Sequence, residues 1–312
     1  TKLTLLIQIL IFYCFWITHT AAAKVILEAK SKGMRYKVET ISERLGVTWG
    51  MVFLNPDKIF FTERAGKIGI LVPSSGEIIY LQGGPKVRAS GQGGLLDVAV
   101  RPSYKADDWI YFTYSKPIKG KGQVRSATTL ARAILKGNQL VKLGDVLVTK
   151  SVSNSDYHFG SRITFDEKGY LFFSIGDRGH RPNSQDLNTH SGSILRLKMD
   201  GSVPDNNPFV NQNDALPEIW SYGHRNPQGL FYDMQKKLLW SIEHGPRGGD
   251  EINLINPGLN YGWPVISYGK EYYSPAQVGE STHKEGMEQP VKYYIPSIAP
   301  GSLIVYSGKA FP

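Results

Sequence analysis

Polar residues of catalytic type are not spread evenly along this 312-residue chain. Five of its seven histidines fall between His158 and His244, in segments that follow apolar runs. Imidazole titrates near working pH, so a loop histidine is a natural general base. The polar groups gather in GQGGLLD at 91–97, YHFGSR at 157–162, SIGDRG at 174–179 and GHRNPQG at 223–229. A longer segment, EHGPRGGDEIN at 243–253, is followed by NYGWP at 260–264. None of the five histidines stands in a His-x-x-x-His spacing and no Cys-x-x-Cys occurs, which argues against zinc. No Gly-x-Gly-x-x-Gly follows a strand and opens a helix, which argues against a nicotinamide cofactor. Taken singly, each segment also has an ordinary reading: a packed histidine, a solvated Arg-Asn pair, an aspartate bonded to its own turn.

The elements that must position these loops are short strands. A pair of apolar runs joined by a polar turn recurs along the chain. It occurs as MVFL, NPDK, IFFT from Met51 and as LDVAV, a longer turn and WIYFT from Leu96. It returns as RITF, DEKG, YLFFS from Arg162 and as GLFY, DMQKK, LLWS from Gly229. Aromatic and β-branched runs bounded by Asn, Asp, Pro and Gly read as strands and turns. The copies begin at intervals of roughly 45 to 67 residues, room for about four strands each, which is the spacing of propeller blades with insertions. No long 3.6-residue periodicity competes with it. GSLIVYS from Gly301 reads as the first strand of a fifth copy, so the chain is expected to lack its C-terminal blade.

Bulk properties bound the remaining possibilities. The chain is 41% hydrophobic and 20% charged, which suits a globular protein. Lys2, the apolar run from Leu3 to Ile17 and Ala21-Ala22-Ala23 read as a secretory signal peptide over 1–23, leaving residues 24–312 as one domain. The mature chain is then expected outside the cytoplasm, secreted or periplasmic, with no membrane span. The single cysteine, Cys14, lies in that leader, so no disulfide is available. The formal charge of +9 comes without a run of five basic residues, so it does not point to nucleic acid.

In their order, the five loop segments resemble the PQQ-dependent soluble glucose and aldose sugar dehydrogenases, the glucose/sorbosone dehydrogenase family. The resemblance runs from about Val47 to Pro312 and implies an all-β, six-bladed β-propeller with PQQ (pyrroloquinoline quinone) and calcium on its top face. It implies that His158, in His-x-Gly-x-Arg, is the general base for the sugar C1 hydroxyl. Arg225 and Asn226 match cofactor contacts, and Gln92 and Asp177 match positions lining the same pocket. Tyr272 matches a tyrosine near the cofactor, although Tyr273 could take its place. Gly245 and Pro246 match the carbonyl pair that holds calcium against PQQ, and Glu251 with the carbonyl of Tyr261 matches a further calcium site. The segment from Arg247 and the short region after Tyr261 follow the aldose-preferring branch, whereas Ser161 stands where that branch commonly has glycine. The substrate class implied is a small aldose, and the electron acceptor is unspecified. Two other readings remain open: a secreted propeller that binds a partner without catalysis, and a calcium-dependent propeller lactonase.

Overall fold

The computed structural model describes residues 24–120, 122 and 124–310, so the leader expected over 1–23 lies outside the described residues. An exposed hairpin, β1 (Lys24–Ser31) and β2 (Met34–Thr40), precedes four four-stranded sheets. The first holds β3 (Thr48–Asn55), β4 (Lys58–Glu63), β5 (Ile68–Val72) and β6 (Glu77–Tyr80). The second holds β7 (Leu95–Ala99), β8 (Trp109–Ile118), β9 (Arg125–Lys136) and β10 (Gln139–Val148). The third holds β11 (Ile163–Phe165), β12 (Leu171–Ile175), β13 (Ser193–Leu197) and β14 (Ile219–Tyr222). The fourth holds β15 (Pro227–Asp233), β16 (Leu238–Glu243), β17 (Asp250–Ile255) and β18 (Lys292–Tyr294). Each sheet is an antiparallel meander in chain order. No described helix is long and apolar enough to cross a membrane.

The recurrent hairpins of the sequence form the first two strands of each sheet. Three of their four turns are fixed locally, because an Asn or Asp side chain accepts from backbone N–H groups just ahead of it. Asn55 accepts from Asp57 N at 3.0 Å. Asp166 accepts from Lys168 N and Tyr170 N at 2.9 and 2.8 Å. Asp233 accepts from Gln235 N and Lys236 N at 3.0 and 3.1 Å.

Apolar residues fill the space between consecutive sheets, so the sheets pack face to face around a common axis. Phe60 and Ile70 meet Leu95, Ile110 and Phe112 between the first and second. Tyr111 and Leu130 meet Phe165, Leu171 and Leu195 between the second and third. Phe172 and Ile194 meet Leu230, Leu239 and Ile255 between the third and fourth. The first strands neighbour one another, β3 beside β7, β7 beside β11 and β11 beside β15, which puts them nearest the axis. Buried Asp97 on β7 ties two sheets together, accepting from Ile163 N at 2.7 Å and from Arg162 Nη1 at 2.6 Å. This is a propeller arrangement of four blades among the described residues.

The expected fifth strand is not formed. Residues 301–308 carry no strand assignment. The segment instead runs against β15: Arg162 Nη2 donates to Gly301 O at 3.1 Å, and a β-carbon on Gly229 would meet Leu303 N and the Ser302 Cα at 2.9 Å. Close backbone crossing without a paired ladder explains why an apolar run alone did not make a strand.

Candidate active site

His158 sits on a loop held in an uncommon backbone shape. Its φ is +54°, with Ser161 at +90° and Arg178 at +58° close by. Non-glycine residues in this region cost about 1–3 kcal/mol each and persist only where surroundings enforce them. The enforcement is visible. Gln92 Oε1 accepts from His158 N at 2.8 Å, and Gln92 N donates to Asp156 O at 2.9 Å. Asp156 is paired with Arg88 and accepts from Ser90 Oγ at 2.8 Å. Beneath the loop, a β-carbon on Gly176 would collide with the carbonyl oxygen of His158, so only glycine lets the two backbones approach this closely.

The His158 ring is oriented by Asp177, whose Oδ1 lies 2.6 Å from Nδ1. Asp177 is fully buried and does not reach the cleft wall, so it stands behind the histidine rather than lining the pocket. Burial alone would raise its carboxyl. The His158 ring outweighs that together with Gly179 N–H at 2.7 Å and the Trp263 indole at 2.9 Å, and the carboxyl is held below its usual range. With Nδ1 committed to Asp177, Nε2 is the nitrogen left to accept a proton, and His158 lines an open cleft of about 610 Å³.

Gln92, Arg225, Asn226, Gly245, Pro246 and Tyr272 line that same cleft. Arg225 is 6% exposed and donates to His244 O and to Tyr272 Oη, both at 3.1 Å. Those acceptors are neutral, and its Nε has no partner among the described residues. Asn226 Oδ1 accepts from Gly160 N at 3.2 Å and Gln228 Nε2 at 3.0 Å, joining the histidine loop to the fourth sheet. Of the two adjacent tyrosines, Tyr272 faces the cleft and Tyr273 stands fully exposed. Among the described residues no Asp or Glu lines the cleft, whereas Arg225, Arg247 and Lys270 do.

Glu251 and Tyr261 lie beside the cleft, around a cavity of about 10 Å³ that they share with Gly245 and Glu243. Burial, with the charge of Glu243 added, pushes the Glu251 carboxyl up to about 8. Its hydrogen-bond donor is Asn253 Nδ2 at 3.2 Å. Tyr261 stacks on His224, ring centroids 4.7 Å apart, and donates to Leu254 O at 2.6 Å. Gly245 packs so tightly on Gly248 and Gly249 that a β-carbon would overlap their backbone, and its N–H is held by buried Asp250 Oδ1 at 2.9 Å. Among the described residues, no three His, Cys, Asp or Glu side chains gather as a metal cage.

Sequence reasoning missed two residues that hold the site. Trp263 donates to Asp177 from 86 positions away. Arg178, 1% exposed, donates to the carbonyls of Tyr157 and Ser155 (2.8 Å to the latter), and its guanidinium lies 3.5 Å from the Phe159 ring centroid. Burial pushes its guanidinium down to about 10. Only its place next to Asp177 hinted at a role. Arg178→Met should release the two carbonyls, so amide exchange at 155–159 should speed up at least tenfold with the remaining sheets unchanged. Unaltered exchange there would show that Arg178 does not hold the loop.

The chain is similar to known proteins over most of its length. The family model for glucose/sorbosone dehydrogenase matches residues 45–312. The chain is 38% identical over 280 residues to aldose sugar dehydrogenase YliI of Escherichia coli, covering 88% of this chain and 74% of that protein. It is 32% identical over 267 residues to quinoprotein glucose dehydrogenase B of Acinetobacter calcoaceticus, covering 78% and 55%. The PQQ-bound aldose sugar dehydrogenase of Streptomyces coelicolor superposes with a TM-score of 0.64 at 28% identity, over 81% of this chain and 70% of that one.

Proposed function

The chain belongs to the glucose/sorbosone dehydrogenase family, and from that premise we propose that it oxidises the C1 hydroxyl of aldose sugars to lactones, using PQQ and calcium. The observation that carries the reading is the cleft itself: His158, Arg225 and Asn226 meet on a wall with three cations and no carboxylate. A buried guanidinium without an anionic partner is costly. A planar tricarboxylate such as PQQ would supply that partner, so the residues fit the cofactor. They also fit calcium. The Glu251 carboxyl crowded by Glu243 around a cavity of about 10 Å³ would be relieved by a hard cation, and the carbonyls of Gly245, Pro246 and Tyr261 are oxygen donors of the kind it takes.

PQQ, when bound, supplies the two-electron acceptor for the sugar oxidation. Nε2 of His158 takes the C1 hydroxyl proton, and Asp177 fixes the tautomer and stabilises the imidazolium that forms. Trp263 and Gly179 keep Asp177 ionised for that role. Arg225, Asn226, Gln92 and Tyr272 bind and orient the cofactor, with the Arg225 charge set against negative charge that develops there. Gly245 and Pro246 would hold one calcium through their carbonyls, and Glu251 with the Tyr261 carbonyl would hold another. The reading extends to 24–312 as a single domain of the six-bladed propeller class, of which four blades are formed among the described residues, a secretory leader over 1–23 and a place outside the cytoplasm.

A ligand that binds only the folded state stabilises it by about 2.7 kcal/mol at a hundredfold excess over Kd. Melting the apo chain with excess PQQ and calcium should therefore raise Tm by about 5 °C or more, and chelating calcium should remove most of the rise. An unchanged Tm with both present would count against the cofactor assignment and bring the partner-binding propeller forward.

A further inference from the structure

Arg247 and Lys270 face each other on the rim of the cleft. Arg247 N donates to Lys270 O at 3.2 Å and Lys270 N to Arg247 O at 3.1 Å. Two residues that exchange both backbone bonds stand directly opposite, about 5.5 Å apart at Cα. Like charges in that relation repel and destabilise the pair. Both side chains line the cleft, and neither has a hydrogen-bond or ion-pair partner among the described residues. The nearest acidic groups along the chain are already engaged. Glu271 forms a two-point pair with Arg181 at 2.6 and 2.8 Å. Asp250 accepts from Gly245 N, Ser297 Oγ, Ile298 N and Ala299 N. Tyr268, stacked on Tyr293 at 3.9 Å, gives the same rim a flat apolar wall.

We propose that Arg247 and Lys270 form a carboxylate-binding rim, which takes an acid group of a molecule seated in the cleft. The inference rests on the reading of that cleft as the cofactor and sugar site. Two sources have this chemistry: a carboxylate of the quinone cofactor, or the acid group of an aldose acid such as glucuronate. A fork of five N–H donors and an ammonium with three can share one carboxylate's oxygens, and the anion would remove the repulsion between them.

The test compares the wild-type chain with Arg247→Gln/Lys270→Gln by calorimetric titration with PQQ, glucuronate and glucose, calcium present throughout. A charge-keeping variant, Arg247→Lys/Lys270→Arg, controls for folding and should retain binding. Charge-assisted hydrogen bonds of this kind correspond to about tenfold or more in affinity. A Kd for PQQ that rises at least tenfold in the Gln variant assigns the carboxylate to the cofactor. A preference for glucuronate over glucose that falls at least tenfold assigns it to the sugar. Either result supports the rim. A wild type that binds PQQ, with both quantities unchanged in the Gln variant, overturns the rim alone. A wild type that binds neither PQQ nor glucuronate overturns the rim and the reading of the cleft together.

Discussion

His158→Ala is expected to lower aldose turnover by about 10²–10⁴-fold while leaving PQQ affinity within a few-fold. The asymmetry follows from where the ring stands. Its Nδ1 is held by Asp177 at 2.6 Å, while Nε2 is left for the substrate proton. The proposed cofactor grip comes from other residues, Arg225 and Asn226 in the loop that leads into the fourth sheet and the Gly245–Pro246 step. Removing the imidazole therefore takes away a group needed when the proton leaves, not one that holds the ground state. The loop should keep its shape, because Gln92 holds the His158 backbone N–H and not its ring. Turnover of the variant, measured at saturating PQQ with bound cofactor quantified separately, checks this. Near-normal kcat with full cofactor would remove His158 from the base role.

Asp177→Asn should cost about 10³-fold in turnover without displacing the cofactor. Every neighbour of this carboxylate donates to it: Gly179 N–H, the Trp263 indole and the His158 ring. An amide can satisfy only one side. Its NH₂ must face either Trp263, donor against donor, or His158, where it would demand the tautomer that carries hydrogen on Nε2. The second arrangement leaves no lone pair for the substrate proton. The same substitution should alter stability against pH. The Asp177 carboxyl is held below its usual value, so it contributes stability above about pH 4 that is lost as pH falls through its folded value. The stability gap between wild type and variant should accordingly be constant at neutral pH and narrow below about pH 4. A gap that stayed level down to pH 2 would show that Asp177 is not held ionised by its donors.

The first two strands of three of the four blades were legible because their turns are local. Asn55, Asp166 and Asp233 close their hairpins with bonds to residues two to four positions on, so a short stretch of chain contains the reason for the turn. The last strand of the fourth sheet was not, because β18 pairs with β17 after a long excursion from Ile255 to Lys292 that no local pattern announces. GSLIVYS failed as a strand for the complementary reason: it is apolar enough, but a ladder requires a partner, and near Gly229 it finds a close crossing instead. Residues brought to the cleft by their own loops, such as His158, Arg225 and Tyr272, could be named from motif and chemistry. The contacts that aim them could not. Trp263 and Asp177 meet only through the packing of distant segments, and Arg178 acts on carbonyls, which no side-chain pattern records.

The most direct test of the central claim is dye reduction by the purified chain with D-glucose, in four mixtures that contain or omit PQQ and calcium. The expected result is turnover only where both are present, with other aldoses accepted and a lactone as product. Reduction that proceeds without PQQ, or no reduction by a folded chain saturated with both cofactors, would contradict it.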